Sequence, residues 1–438
     1  MTRQTPFAPV NDQIHWPVIV IGGGQAGLSA SYWLQQHSIR HLVLEKHSVG
    51  HAWRNNRWDS FCLVTPNWQC RLPGFPYDGN DPNGFMPRDA IVDYIERYAA
   101  FVKPPLLQGV TVETLQQHDS GGYELVTTEG RFTADQVVMA VNGYHVPNWP
   151  RLSERLPTSI GQLHSSDYKS PETLPAGEVL VIGTGQSGCQ IAEDLHLAGR
   201  RVHLCVGRAP RAPRWYRGRD SVDWLERMGT YDVSVEEHPE PAWDLRHKAN
   251  HYMTGRDGGR EIDLRRFALE GMQLYGRVAD IRNGTHLIFG QDLRQNLDAA
   301  DDTYCRIRES IDRYIEKNNI QAPLEPEYRP VWEPEREPAE LDIADTGITS
   351  VIWATGFHSD FSWVQLPVFD GAGEPVHQRG VTPTPGAYFL GLPWLHTWGS
   401  GRFASVGEDA RHIVEVIASR LENASQVSPS AQGEAIQA

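Results

Sequence analysis

Four consecutive apolar residues, Val18-Ile19-Val20-Ile21, lead into Gly22-Gly23-Gly24-Gln25-Ala26-Gly27 and then into a helical pattern. So short an apolar run predicts a strand buried on both faces, and His41-Leu42-Val43-Leu44, ending in Glu45, predicts its neighbour. A long loop over 47–83 carries Trp53, Trp58 and Trp68 among several prolines, and loops of that length are usually functional. Ile91, Tyr94, Ile95 and Tyr98 then recur at helical spacing and predict a helix from about Arg88 with this stripe turned to a core. Residues 111–115, 123–127 and 131–141 alternate or run apolar around Gly121-Gly122 and Glu129-Gly130, the pattern of a small antiparallel meander. Pro147 and Pro150 mark a crossing to a second domain.

The opening pattern then repeats 161 residues later, from Gly22 to Gly183. Val179-Leu180-Val181-Ile182 runs into Gly183-Thr184-Gly185-Gln186-Ser187-Gly188. The helical positions Ile191, Leu195 and Leu197 follow, then the breaker Gly199, then a strand over 202–206 that ends at Gly207-Arg208. Residues 293–318 predict a charged amphipathic helix and 323–340 an acidic, proline-bearing connector. The segment 348–353 predicts a strand ending in Ala354-Thr355-Gly356, and Tyr388-Phe389-Leu390-Gly391 another. Gly407-Glu408-Asp409 opens a last helix to about Leu421. The expected class is α/β, with two Rossmann-like dinucleotide-binding domains, one inserted in the other. The first domain takes 1–150, the second, with a helical insertion, 151–347, and the chain returns to the first over 348–422. An irregular arm is expected over 1–15 and a disordered tail over 423–438.

The repeated glycine motif carries chemistry. In each copy the first glycine permits the tight turn, the second lets backbone approach a pyrophosphate, and the third lets helix and strand pack closely. The helix N-terminus then faces the negative charge. Glu45 stands where a carboxylate accepts the hydroxyls of an unphosphorylated ribose, which suits FAD. The second copy has Gly207 and Arg208 at that place, with Arg200 and Arg201 just upstream. A guanidinium there suits the 2′-phosphate of NADPH, the other reading being a solvated loop charge. Arg211, Arg214, Arg217 and Arg219 could line a phosphate channel or form a solvated loop.

At 438 residues the chain can build two cores, and its net charge of -15 disfavours a nucleic-acid partner. Five cysteines without a CxxC suggest neither a disulfide framework nor a zinc site, and no metal is expected. No basic-then-apolar leader and no long apolar run are found, so a soluble, cytoplasmic protein without membrane contact is expected.

These motifs resemble those of the class B flavin-dependent monooxygenases, which include flavin-containing N- and S-oxygenases, Baeyer–Villiger enzymes and plant auxin-forming monooxygenases. The look is closest to bacterial flavoproteins often encoded beside a nitrilase. The resemblance implies FAD at Gly22, Gly24, Gln25, Ala26, Gly27, Glu45, Lys46, Trp53, Trp58 and Thr65. It implies NADPH at Gly183, Thr184, Gly185, Gln186, Ser187, Gly188, Arg201 and Arg208. Ala354, Thr355 and Gly356 match a linker motif near the cofactors, and Gly407, Glu408 and Asp409 match a helix start whose backbone donors cover the flavin edge. The family fingerprint FxGxxxHxxxY survives only in His164 and Tyr168, its phenylalanine missing and its glycine displaced to Gly161; an earlier alanine-threonine-glycine motif is replaced by Val141-Asn142-Gly143. His164 and Asn67 are the catalytic candidates, the alternatives being a structural histidine and a turn asparagine.

The implied reaction is transfer of one oxygen atom from O2 to a small organic substrate, by N-, S- or carbonyl oxygenation through a peroxyflavin intermediate. No Baeyer–Villiger arginine context is recognisable. The competing readings are an NADPH oxidase or reductase without oxygen transfer, and a nucleotide-binding redox sensor. A homodimer stays open.

Overall fold

The structure, a computed structural model, describes residues 14–427. The expected arm therefore lies mostly outside the described residues, although Ile14 and His15 already belong to β1 (Ile14–Ile21). β1 runs parallel to β2 (His41–Glu45), and α1 (Gln25–Gln36) connects them. Val18, Ile19 and Val20 are fully buried, as a strand covered on both faces must be. α2 (Arg88–Val102) turns Ile91, Tyr94, Ile95 and Tyr98 into the core shared with α1, and β3 (Leu106–Gln108) pairs parallel with β2. The meander is β4 (Val112–Gln117), β5 (Tyr123–Thr127) and β6 (Gly130–Met139). It is continuous with the first unit, because β6 is long enough to pair antiparallel with β5 at its start and parallel with β1 along its length.

The second sheet holds β7 (Gly161–His164), β8 (Glu178–Ile182), β9 (Val202–Cys205), β10 (Gln273–Tyr275) and β11 (Ile348–Trp353) in the order β7-β11-β8-β9-β10, all parallel. α3 (Gln186–Leu197) follows β8, and the amphipathic α4 (Leu293–Lys317) buries Leu293, Leu297, Ala300, Ile311 and Ile315. One expectation is corrected here: the strand at 348–353 does not return to the first domain but stands inside the second sheet, between β7 and β8. An apolar strand buried on both faces does not name its sheet, and the free edge of β8 decided the pairing.

The return comes past Gly356. Val146–Pro147, on the way out of the first unit, pairs antiparallel with Phe357–His358 on the way back, so the two crossings form one ribbon. β12 (Val364–Gln365) and β13 (Ala387–Phe389) then join the first sheet on β4 and β6. α5 (Val406–Val427) packs Ala410, Ile413, Val414 and Ile417 into the core that holds Leu28 and Leu34 of α1. The helix thus runs into the segment expected as a disordered tail, the remainder of which lies outside the described residues. Among the described residues no helix is long and apolar enough to cross a membrane.

Candidate functional site

Both glycine loops have the same geometry. Gly22 and Gly183 take φ of +108° and +107°, and a Cβ on either would strike backbone oxygen, of Ala140 and Ala354 respectively. At the third position, a Cβ on Gly27 would overlap the Gly22 carbonyl, and one on Gly188 the Gly183 carbonyl, so only glycine allows these helices to approach their strands. The second position is the opposite case. A Cβ on Gly24 or Gly185 would meet nothing within 4 Å, so each loop opens here onto the space in front of a helix N-terminus. That space is a cradle a side chain would fill and a pyrophosphate fits.

Around the first cradle, Glu45 at the end of β2 accepts from the Gly23 N–H at 2.6 Å and the His47 N–H at 2.8 Å, which fixes its carboxylate beside the glycines. Lys46 follows it, exposed. Gln25 donates to the Gly401 carbonyl at 3.0 Å, and Gly391 lies so close that its Cβ would press on that of Ala26. Trp53, in the short helix His51–Asn55, stacks on Phe403 with centroids 5.6 Å apart and thereby joins the loop ahead of α5. Thr65 is half-buried.

Several expected residues serve otherwise. Asn67 is buried, donating to the Asp81 carbonyl at 2.9 Å and accepting from the Met86 N–H at 2.7 Å, so its side chain closes the loop on itself. Trp58 points away from the first cradle into the core of the second unit, edge-on to Phe61 and tilted on Tyr168. At the start of α5, the N–H groups of Glu408 and Asp409 both turn back on the Ser405 carbonyl and are not available as a donor row. The Gly407 carbonyl accepts from Trp33 Nε1. Asp409 is buried on Ser400 and Arg379, and burial raises its carboxyl above the usual range.

At the second cradle, Thr184 Oγ1 accepts from the Gly207 N–H at 2.8 Å and so ties the end of β9 to the glycine loop, with Gln186 and Ser187 starting α3 beside it. Arg208, next in sequence, is exposed. Arg201 is not part of this group. It precedes β9, at the far end of the strand, and pairs with Glu178 at 2.9 Å. A strand places its two ends on opposite sides of the sheet, and ligands in open parallel sheets gather at the carboxyl ends.

His164 is fully buried at the end of β7. Its Nε2 lies 3.0 Å from the Gly356 carbonyl, which only accepts, so the proton sits on Nε2 while Nδ1 accepts from the Ser166 N–H at 3.2 Å. Burial lowers its pKa, so the ring is neutral. The same Gly356 carbonyl accepts from the Asn148 N–H at 2.9 Å, and Thr355 Oγ1 donates to the Asn148 carbonyl at 2.5 Å. His164, Thr355 and Gly356 therefore fasten the interdomain ribbon, while the Ala354 N–H stays with the Ile182 carbonyl of the second sheet.

The second half of the fingerprint, Tyr168, donates to Asp194 Oδ2 at 2.6 Å, and Asp194 Oδ1 accepts from Ser60 at 2.7 Å and Arg256 at 2.5 Å. This knot binds α3 to the loop of the first unit. Beside it a cavity of about 10 Å³, the size of one water, is lined by Trp58, Ser60, Cys62, Gln190, Glu193, Thr254 and Arg256. Glu193 is 1% exposed, and burial raises its pKa to about 7 against the attraction of Arg260. Sequence reasoning missed Asp194 and Glu193 because a carboxylate in a helix reads as a solvated face. The arginines of 211–219 are neither channel nor solvated loop at their key positions. Arg211 is braced by Glu261, Asp263 and Asp301, and Arg214 by Asp220, with its Nη1 on the Val64 carbonyl at 2.6 Å. Among the described residues no group of His, Cys, Asp and Glu is placed to hold a metal ion.

Residues 19–228 match the family model described as pyridine nucleotide-disulphide oxidoreductase. An uncharacterized CzcO-like oxidoreductase of Geobacillus kaustophilus is 33% identical over 403 residues, 91% of this chain and 97% of that protein. The probable indole-3-pyruvate monooxygenase YUCCA10 of Arabidopsis thaliana is 30% identical over 203 residues, 44% of this chain and 52% of that one. Among solved structures, a variant of the flavin monooxygenase of Stenotrophomonas maltophilia superposes with a TM-score of 0.63 at 21% identity, covering 93% of this chain and 100% of that one, a likeness of fold. The near full-length identity to the CzcO-like protein shows that the chain belongs to the family of CzcO-like oxidoreductases, on a fold it shares with flavin monooxygenases.

Proposed function

We propose that the chain is an FAD- and NADPH-dependent monooxygenase that transfers one oxygen atom of O2 to a small organic substrate. The observation that carries this reading is the pair of open cradles at Gly24 and Gly185, one flanked by a carboxylate, Glu45, and the other by a guanidinium, Arg208. Gly22, Gly24, Gly27 and the N-terminus of α1 would hold the FAD pyrophosphate, with Glu45 on the ribose and Trp53 beside it. Gly183, Gly185, Gly188 and Arg208 would hold NADPH. When bound, these groups supply hydride transfer and oxygen activation. The protein supplies orientation and dryness. His164 fixes the ribbon between the two nucleotide units, the Asp194 knot fixes the loop of the first unit to α3, and the aromatic loop shields the space between them from water. Asn67 and His164 act here as positioning residues. The name of the Arabidopsis relative supports an oxygenated small molecule as product.

The test is NADPH-driven oxygen uptake under ¹⁸O₂ across amines, sulfides, ketones and α-keto acids. A product carrying one labelled oxygen per NADPH consumed is expected. Recovery of all oxygen as hydrogen peroxide, with every organic probe unlabelled, would replace the reading with that of an oxidase.

A further inference from the structure

One segment of the second unit lies across the first unit and is fastened there by little. The short helix Ser221–Arg227 ends at Gly229, which takes a φ of +71° and returns its N–H to the Glu226 carbonyl, a joint with no side chain to obstruct rotation. The chain rejoins the core of the second unit at Tyr252, which is buried and donates its N–H to the Pro210 carbonyl at 2.9 Å. Between these two anchors, 230–251 runs out onto the loop 394–402 that precedes α5. There the Val235 N–H donates to the His396 carbonyl at 2.6 Å, and Ser234 and Thr397 form an antiparallel bridge. Tyr231 stacks on Trp398, with centroids 4.2 Å apart and planes at 24°. Asn250 Oδ1 accepts from Arg402 at 2.9 Å, and His238 stands edge-on to Trp394. The buried apolar side chains of the segment are Val235 and Leu245, and neither belongs to the hydrophobic cores of the two units. The pairs His247–Glu374 and His396–Glu236, at 3.4 and 3.7 Å, reach solvent and add little. A segment with so few buried apolar contacts opens locally at a free energy well below that of the domain around it.

The loop it grips is the one that abuts the first cradle. The Gly401 carbonyl accepts from Gln25 at the start of α1, and Phe403 stacks on Trp53. Ser400 Oγ donates to Asp409 of α5 and accepts from the His396 and Thr397 N–H groups, so the point where the segment is clasped is tied to the same loop. Lifting the segment frees this loop while both ends of the segment stay in the second unit. We propose that 230–251 is a strap: clasped on 394–402 it closes the first cradle, and its local opening sets the rate at which the dinucleotide held there enters and leaves. That this dinucleotide is FAD rests on the proposed function, whereas the strap and its clasp do not.

With the Val235 N–H on the His396 carbonyl, Ser234 and Thr397 are the non-hydrogen-bonded kind of antiparallel pair, whose Cα atoms stand about 4.5 Å apart, within reach of a disulfide. The full-length double variant Ser234→Cys/Thr397→Cys is oxidised with glutathione disulfide and compared with itself after reduction by dithiothreitol, the bond being verified by mass after thiol alkylation. Flavin release is followed as FAD recovered in the ultrafiltrate over time, and strap opening as tryptic cleavage at Lys248, which is exposed. The cross-linked form is expected to release FAD about tenfold or more slowly than the reduced form and to resist cleavage at Lys248, with reduction restoring both. Trp398→Ala, which removes the stack on Tyr231, should speed release about twofold to tenfold. Equal release from the cross-linked and reduced forms overturns the proposal, as does failure of the two cysteines to pair. A protein that takes up no FAD counts against the proposed function instead, and the tryptic comparison then decides the strap: equal cleavage of both forms overturns it, and protection of the cross-linked form sustains it.

Discussion

In the proposed reading the two second-position glycines and the two strand ends receive the two nucleotides, and single side chains test that reading. A valine at Gly24 would project into space that the fold leaves empty without straining its surroundings, so Gly24→Val should fold and yet purify without flavin, as visible absorbance would show. Arg208 and Arg201 make a paired test, because both are exposed arginines near one strand and only one stands at its carboxyl end. Arg208→Ala should weaken NADPH by about 1.5 to 3 kcal/mol, roughly tenfold to a hundredfold, and leave NADH little changed. Arg201→Ala should leave both constants in place, since its partner Glu178 lies at the other end of the sheet. Isothermal titration with both nucleotides separates the outcomes, and the reverse pattern would move the phosphate to the wrong side of the sheet.

Between elements, the ribbon of Val146–Pro147 and Phe357–His358 pairs the two crossings between the units, and His164 donates into it from β7. Removing that donor leaves the Gly356 carbonyl with Asn148 alone and loosens the angle at which the second nucleotide unit meets the first. His164→Ala should therefore raise the fraction of NADPH electrons that appear as hydrogen peroxide, with KM for NADPH within about twofold, as expected of a residue that positions rather than reacts. His164→Asn, a donor of shorter reach, should fall between. A change confined to the pH profile would instead assign the histidine a proton, against its buried, neutral state.

For the whole molecule, the contact between the loop of the first unit and α3 couples stability to pH. Glu193 faces Arg260 and Arg256, with Asp257, Thr254 and Cys62 around it, and keeps its proton up to about pH 7. An unfolded glutamate releases its proton near 4.5, so folding takes up a proton between these values. The stability tied to this group is accordingly full below about pH 4.5 and lost as pH rises through 7. The loss is on the order of 3 kcal/mol. Glu193→Gln should flatten that slope, so urea midpoints at pH 5 and pH 8 should lie closer together than those of the parent. An unchanged slope would place the titration elsewhere.

The geometry of the glycine loops was legible in sequence because glycine spacing is a local property. Turns, close approaches and N-terminal cradles are set by residues next to one another, and so Gly22 to Glu45 and Gly183 to Gly188 could be identified before any fold was known. The helix at Arg88–Val102 and the amphipathic helix at Leu293–Lys317 were legible for the same reason, their periodicity being carried by the segment itself. Tertiary structure alone decided which sheet receives Ile348–Trp353, since an apolar strand presents the same faces to either. It alone buried Arg211 and Arg214 beside carboxylates from distant segments and turned Trp58 into the second core. Charge compensation and burial depend on what the chain brings near from far along its length, and no local pattern encodes that.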